Sequence, residues 1–280
     1  MEVKQHHSVK DFLKTTETLL LGREAENNLP LGILHNQKQM NADELYMLTV
    51  HHEGECIYSI MRTPPHYWIL PSVDVNHKQP VKTLVEYLAE HSFKVPGVIG
   101  EASAAEAFVQ AYREKNRGLA ELHMRQGVYE LKKVNELQNV RGKLRIARKP
   151  DEGWLHEWFK QFYKETNEVH GGNEIARTVK NLIRSERTFI YIVDGENVSM
   201  VSRARNTPNG AAVNGVFTPA PYRRQGYASE AVSLLSKQLL EEGNRFCALY
   251  TDLANPSSNS IYQKVGFKKA GETLVYHLME

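Results

Sequence analysis

The chain has 280 residues, a formal net charge of +2, 41% apolar and 24% charged residues, and two cysteines. That length suits one large domain or two ordinary ones, and the composition is that of a globular chain. The near-neutral charge argues against nucleic acid, and Cys56 and Cys247 exclude a disulfide framework. No apolar run reaches membrane-spanning length, and the first residues are too polar for a signal peptide, so a cytoplasmic protein without membrane partners is expected.

Apolar spacing predicts a helix over Ser8–Arg23, then strands at Leu45–His51 and Cys56–Arg62 around the turn His52–Glu55, and a third at Tyr67–Leu70. Helical spacing returns over Val81–His91 and Ser103–Asn116, and a strand follows at Leu122–Lys132. The polar stretch Glu136–Arg141 marks a domain boundary, placed between residues 138 and 139. After it a strand is expected at Lys143–Arg148. A helix capped by Asp151 then carries Trp154, Trp158, Phe159 and Phe162 on its core face. Asn173–Ser185 is helical, Thr188–Val193 and Val198–Arg205 form a hairpin across Asp194-Gly195, and Gly210–Thr218 is the next strand. A helix (Ser229–Glu242), a strand (Phe246–Asp252), a helix (Ser257–Val265) and a strand (Thr273–His277) close the chain. The second part thus reads β-α-α-β-β-β-α-β-α-β, a mixed α/β (α+β) architecture.

Two short likenesses link the parts. Pro96–Ala107 and Pro221–Val232 both put Gly and an Ala-Ser pair at a helix start, and Val128–Leu131 resembles Val275–Leu278. Duplication is one reading, and chance likeness of two helix starts is the other. Glu101 would then stand where an anion sits in the second copy.

Two constellations carry chemistry. In Val213–Ala228 a strand (Val216, Phe217, Thr218) enters the turn Arg223-Arg224-Gln225-Gly226-Tyr227-Ala228, and a helix begins at Ser229. A helix N-terminus offers unpaired N–H groups and the positive dipole end, Gly226 permits close backbone approach, and the arginines add charge. The pattern is neither a Walker loop nor a dinucleotide fingerprint. Further on, Asn255 and Asn259 lie four apart, with Tyr262 three beyond and Gly266-Phe267 after it. Amides can pair with an amide-rich ligand and a tyrosine can give a proton, although a helix cap at Asn255 and a packed Tyr262 explain the same residues.

Jointly, Arg223–Ala228, Asn255, Tyr262 and Gly266-Phe267 resemble the motifs of the Gcn5-related N-acetyltransferases (GNAT), over about residues 142–280. The resemblance implies the acyl-coenzyme A N-acyltransferase fold, a mixed sheet flanked by helices. It also implies two tandem domains, a degenerate one at 1–138 and an acetyltransferase domain at 139–280. It implies acetyl-coenzyme A as co-substrate, no metal, and transfer of acetyl to a primary amine of a small or amino-acid-like acceptor. Val216, Phe217 and Thr218 would address the pantetheine, and Arg223, Arg224, Gln225, Gly226, Tyr227, Ala228 and Ser229 the pyrophosphate. Asn255 would contact the pantetheine arm or a water, Asn259 would meet the cofactor towards its phosphate end, and Tyr262 would protonate the leaving thiolate. A monomer or homodimer is expected. The alternatives are a non-catalytic acyl-coenzyme A sensor and a protein or peptide acetyltransferase.

The carboxylate many family members carry before the turn is missing from Ala211–Gly215, and Glu230 is expected to face solvent. Acceptor specificity is expected from Trp154–Gly172 and Ser199–Arg205, with Arg203 and Arg205 as partners for an acceptor carboxylate. The histidine pairs His6-His7 and His51-His52 lack a third ligand at usable spacing.

Overall fold

Twelve strands form one continuous sheet in the structure, a computed structural model that describes residues 1–36, 45–74, 76–116, 118–138, 140–166 and 170–279. Residue 139 at the expected boundary and residues 167–169 of the expected specificity segment lie outside the described residues. Residues 1–138 contribute β1 (Glu2–His6), α1 (Val9–Leu21), α2 (Asn28–His35), β2 (Tyr46–His52), β3 (Glu55–Arg62), β4 (Trp68–Leu70), α3 (Lys78–Glu90), β5 (Gly97–Glu101), α4 (Ala102–Asn116) and β6 (Leu119–Leu131). The rest contributes β7 (Lys143–Ile146), α5 (Glu152–Glu165), α6 (Gly172–Arg184), β8 (Thr188–Val193), β9 (Glu196–Asn206), β10 (Gly210–Phe217), α7 (Tyr227–Glu241), β11 (Phe246–Asp252), α8 (Pro256–Val265) and β12 (Lys268–Met279).

From β7 onward the element order is the expected one. Three elements are additions: β1, α2 and β5. Strand β1 (EVKQH) is a polar edge strand without apolar alternation, and α2 contains Pro30 and Gly32, both poor helix residues. Burial decides α2, because Leu31 and Leu34 are wholly buried and Pro30 falls in the first turn, where its missing N–H costs nothing.

The strand order is β1-β2-β3-β4-β5-β12-β6-β11-β10-β9-β8-β7. It is a palindrome of two five-strand arms, each with one parallel pair, β4–β5 and β10–β11, about a central antiparallel pair. The centre is crossed over. Strand β12 pairs with β5, and β6 pairs with β11, so each half's last strand lies in the other half's arm.

Strand alternation sends residues to two faces. In the first arm Met47, Met61 and Ile69 meet α1 and α2, while Leu48, Ile60, Trp68 and Leu70 meet α3 and α4. In the second, Ile190, Met200 and Phe217 pack on α5 and α6, and Tyr191, Val201, Val213 and Leu249 on α7 and α8. Each such fully buried side chain is worth about 1.5–3 kcal/mol. Among the described residues, no helix is long and apolar enough to cross a membrane.

The repeat aligns differently from its sequence likeness. Pro96–Ala107 covers β5 and the start of α4, whose counterpart by element order is β11–α8. The counterpart of the basic turn is the segment 71–77 between β4 and α3. The likeness of Val128–Leu131 and Val275–Leu278 does fall on the matching strands β6 and β12. Glu101 stands at a helix start, its carboxylate accepting from the N–H groups of Ser103 and Ala104 at 3.1 and 2.8 Å.

Candidate functional site

Strands β10 and β11 pair at Gly210–Phe246, Ala211–Cys247 and Ala212–Ala248, and then part. Beyond Ala212, β10 runs on to Phe217 with β9 as its partner, while β11 runs on to Asp252 against β6. Register shifts at Ala212/Val213 and Asn214/Phe217 bend β10 away, as bulges do. Gly215 lies within the second shift at φ 57, a left-handed conformation that disfavours other residues. The parting strands open a cleft in the sheet.

Backbone groups of successive strand residues point to opposite edges. The Phe217 carbonyl accepts from Ser199 Oγ on β9 at 2.9 Å, so the groups of Val216 and Thr218 point to the edge β11 has left. The Thr218 carbonyl there accepts from Arg223 Nε at 2.9 Å. Arg223 also meets Glu165 at 2.5 Å and lies 5.7 Å from the Phe217 ring centre. It folds back on the strand, while the exposed Arg224 has no ion pair among the described residues.

The turn holds two left-handed residues, Arg224 at φ 63 and Gly226 at φ 87. Gly226 is the N-cap of α7 and has no side chain to cap it. The first N–H groups of α7 and its positive dipole end therefore face the turn. Behind the turn, Arg141 Nη2 donates to the Gln225 carbonyl and to Glu230 Oε1 at 2.8 Å, and its guanidinium lies 4.5 Å from the Tyr227 ring centre. Tyr191 donates its hydroxyl proton to Glu230 and accepts from the Gly142 N–H at 2.8 Å.

Glu230 is therefore not a solvated side chain, as expected from its place after the turn; it is 8% exposed. Burial alone would raise its pKa, but hydrogen bonds from Tyr191 and Arg141 outweigh it and hold the carboxyl below its ordinary value. Sequence reasoning missed Arg141, Tyr191 and Glu230 as a group, since they come from three separate elements. Gly215 did carry a signal, an Asn-Gly pair inside a strand.

On α8, Asn255 Oδ1 accepts from the Ser258 N–H at 3.1 Å and caps the helix. Asn259 Nδ2 donates to the carbonyls of Asn255 at 2.8 Å and Asp252 at 3.2 Å, tying the helix to the end of β11. Its buried Oδ1 has no partner among the described residues. Tyr262 is 8% exposed and packs edge-on against Phe267, in one core with Tyr227 and Leu249. Burial pushes its pKa up to about 12, and its hydroxyl has no hydrogen bond among the described residues. Thus the free stretch of β10 leads into the basic turn and the start of α7, and Tyr262 on α8 is a protonated phenol in the core under α7 and α8.

Arg203 and Arg205 are committed elsewhere and do not await an acceptor. Arg203 meets Glu242 at 2.9 Å, and Arg205 donates to Asn28 Oδ1 at 3.0 Å and packs on Gly32 of α2. In the aromatic stripe, Phe159 is buried beside Leu155, while Trp154, Trp158 and Phe162 are half-buried, with Trp158 6.1 Å from Phe217. Among the described residues no group of three metal-ligating side chains exists. His6 and His51 instead share the Thr49 hydroxyl, at 2.8 and 3.0 Å.

Residues 147–267 match the model of the acetyltransferase (GNAT) family. An acetyltransferase of that family from Colwellia psychrerythraea superposes with a TM-score of 0.64 at 15% identity, covering 100% of both chains. A GCN5-related N-acetyltransferase from Sphaerobacter thermophilus gives 0.65 at 12%, over 99% of this chain and 95% of its own. A tandem GNAT protein from the clavulanic acid biosynthesis pathway gives 0.57 at 11%, over 100% and 98%. No curated protein matches in sequence. The fold over the whole chain is that of GNAT acetyltransferases, a mixed sheet flanked by helices. Residues 147–267 of this chain form a domain of the acetyltransferase (GNAT) family.

Proposed function

We propose that the chain transfers acetyl from acetyl-coenzyme A to a primary amine of a small or amino-acid-like acceptor, using the cleft between β10 and β11. The observation that carries this reading is the joint placement of a strand edge and an anion site. The edge that β11 has left, at Val216, leads into a turn whose next helix starts without a side-chain cap. Pantetheine amides would pair with that edge, and the pyrophosphate would lie on the N–H groups from Arg224 to Ser229, with Arg224 as the available cation.

The acceptor nitrogen attacks the thioester carbonyl, the carbon–sulfur bond breaks, and the amine proton leaves to solvent. Tyr262 keeps its proton at neutral pH because its pKa lies near 12. A thiolate of ordinary basicity, about 8.5, would not take that proton outright. Tyr262 therefore serves the leaving sulfur chiefly as a hydrogen-bond donor. Glu230 is engaged by Arg141 and Tyr191, and Ala211–Gly215 carry no acid, so the reading assigns no carboxylate base. Asn255 and Asn259 act in it by fixing the start of α8.

Calorimetry with acetyl-coenzyme A, followed by thiol release across an amine library, tests the reading. Binding with turnover supports it, binding without turnover points to a sensor, and no binding overturns it. Tyr262→Phe is expected to lower turnover about 10²-fold with cofactor affinity nearly kept, the usual worth of a donor in the transition state. An unchanged rate removes Tyr262 from the chemistry.

A further inference from the structure

Resting on that reading, we infer that Arg141, in the segment joining the two halves, is the positioning residue for the pyrophosphate turn, with Glu230 and Tyr191 as its anchor. In a trans peptide the C=O and the following N–H point in opposite directions. Arg141 Nη2 donates to the Gln225 carbonyl, so the Gly226 N–H is fixed pointing away from Arg141. That peptide joins Gln225 to the left-handed Gly226, and Arg224 on the other side of Gln225 is left-handed too. A left-handed non-glycine residue costs about 1–2 kcal/mol, so Arg224 relaxes unless a neighbour holds the turn. Relaxation would rotate the peptide and turn its N–H off the ligand.

Arg141 is itself held. Glu230 accepts from Arg141 at Nη2 (2.8 Å), Nε (3.3 Å) and the backbone N–H (3.3 Å), and also from the Tyr191 hydroxyl. Glu230 lies in the first turn of α7, so the same carboxylate ties the guanidinium to the helix whose N-terminus faces the ligand. Its charge neutralises that of Arg141, which leaves Arg141 acting through geometry. The Tyr227 ring under the guanidinium closes the cluster. No contact to the ligand is needed for this role, since Arg141 works on the carbonyl side of the turn.

The prediction separates the phosphate end of the cofactor from the rest. In calorimetry Arg141→Ala is expected to weaken coenzyme A about tenfold, the scale of one charge-assisted hydrogen bond, with pantetheine affinity unchanged. Glu230→Gln should show the same split, more weakly. Where Arg141→Ala fails to fold, Arg141→Lys, which keeps the charge but loses the planar fork, carries the test. Equal weakening of both ligands, or coenzyme A affinity within about twofold of the parent, overturns the inference. Failure of the parent protein to bind coenzyme A is a different result, and it overturns the acyl-coenzyme A reading itself.

Discussion

The two arms of the sheet share a plan and differ where a ligand would enter. Strand β10 outruns its parallel pairing with β11 by five residues, whereas β4 stops at Leu70, where its pairing with β5 stops. After Leu70 the chain is taken up by its own neighbour. Asn27 accepts from the Ser72 N–H and donates to the Ser72 carbonyl, both at 2.8 Å, which are the bonds a ligand amide would make with a free edge. Each arm also ties its turn to the end of a helix on the other face, with the charges reversed. Arg23 meets Asp74 at 2.5 Å in the first arm, and Glu165 meets Arg223 at 2.5 Å in the second. One fold thus yields an open cationic turn in one arm and an acidic, internally satisfied one in the other.

We propose that residues 1–138 and 139–280 are two domains that have exchanged last strands, and cutting the chain tests this most severely. Without β12, β5 and β6 lose the strand between them, and without β6, β11 and β12 do the same. Exposed inner edges of that kind drive association rather than stable monomers. Each half produced alone is expected to lack a cooperative thermal transition, and the two produced together to recover it. A cooperative melt for residues 1–138 by themselves would show that the exchange is dispensable.

A substitution in the first arm probes whether it is closed to ligands. Asn27 is 1% exposed, and its side chain makes three hydrogen bonds among the described residues, to Leu20 and twice to Ser72. Asn27→Ala leaves the Ser72 backbone groups unpaired in the interior and is expected to cost about 2–4 kcal/mol, read by chemical denaturation. Coenzyme A stoichiometry should remain one per chain with unchanged affinity. A second equivalent bound, in parent or variant, would break the contrast between the arms.

The second arm was legible because its strands and helices follow apolar periodicity and its turn combines Gly226 with paired arginines. The first arm hid more. Its α2 is built through Pro30 and Gly32, and its closing residue Asn27 is 45 positions from Ser72, a separation no local pattern reports. The exchange of β6 and β12 was equally silent, since each strand would look the same in either arm. Glu230 was misjudged because a charged residue in the first turn of a helix is usually solvated. Its burial depends on Tyr191 and Arg141, from β8 and the joining segment.

The smallest expected effect sets the buried Glu230 against the half-buried Glu26. Glu230 sits below its ordinary value, since hydrogen bonds from Tyr191 and Arg141 outweigh burial. Glu26 sits above it, since burial outweighs the Ser72 hydrogen bond and Arg23. The signs of linkage are therefore opposite. Glu230 adds stability above the unfolded value of 4.5, and this is lost as pH falls through its depressed pKa. Glu26 favours the fold below 4.5, and this is lost as pH rises through its elevated pKa. Glu230→Gln should lower stability at neutral pH and flatten the acid limb. Glu26→Gln, which mimics the protonated carboxyl, should raise stability at neutral pH and steepen the fall on acidification. Each change is of the order of 1 kcal/mol, the net worth of the hydrogen bonds exchanged, and melting curves from about pH 3 to 7 would resolve it. If both variants shift in the same direction, the carboxylates do not divide as their surroundings require. The two arms would then differ in shape without differing in electrostatics.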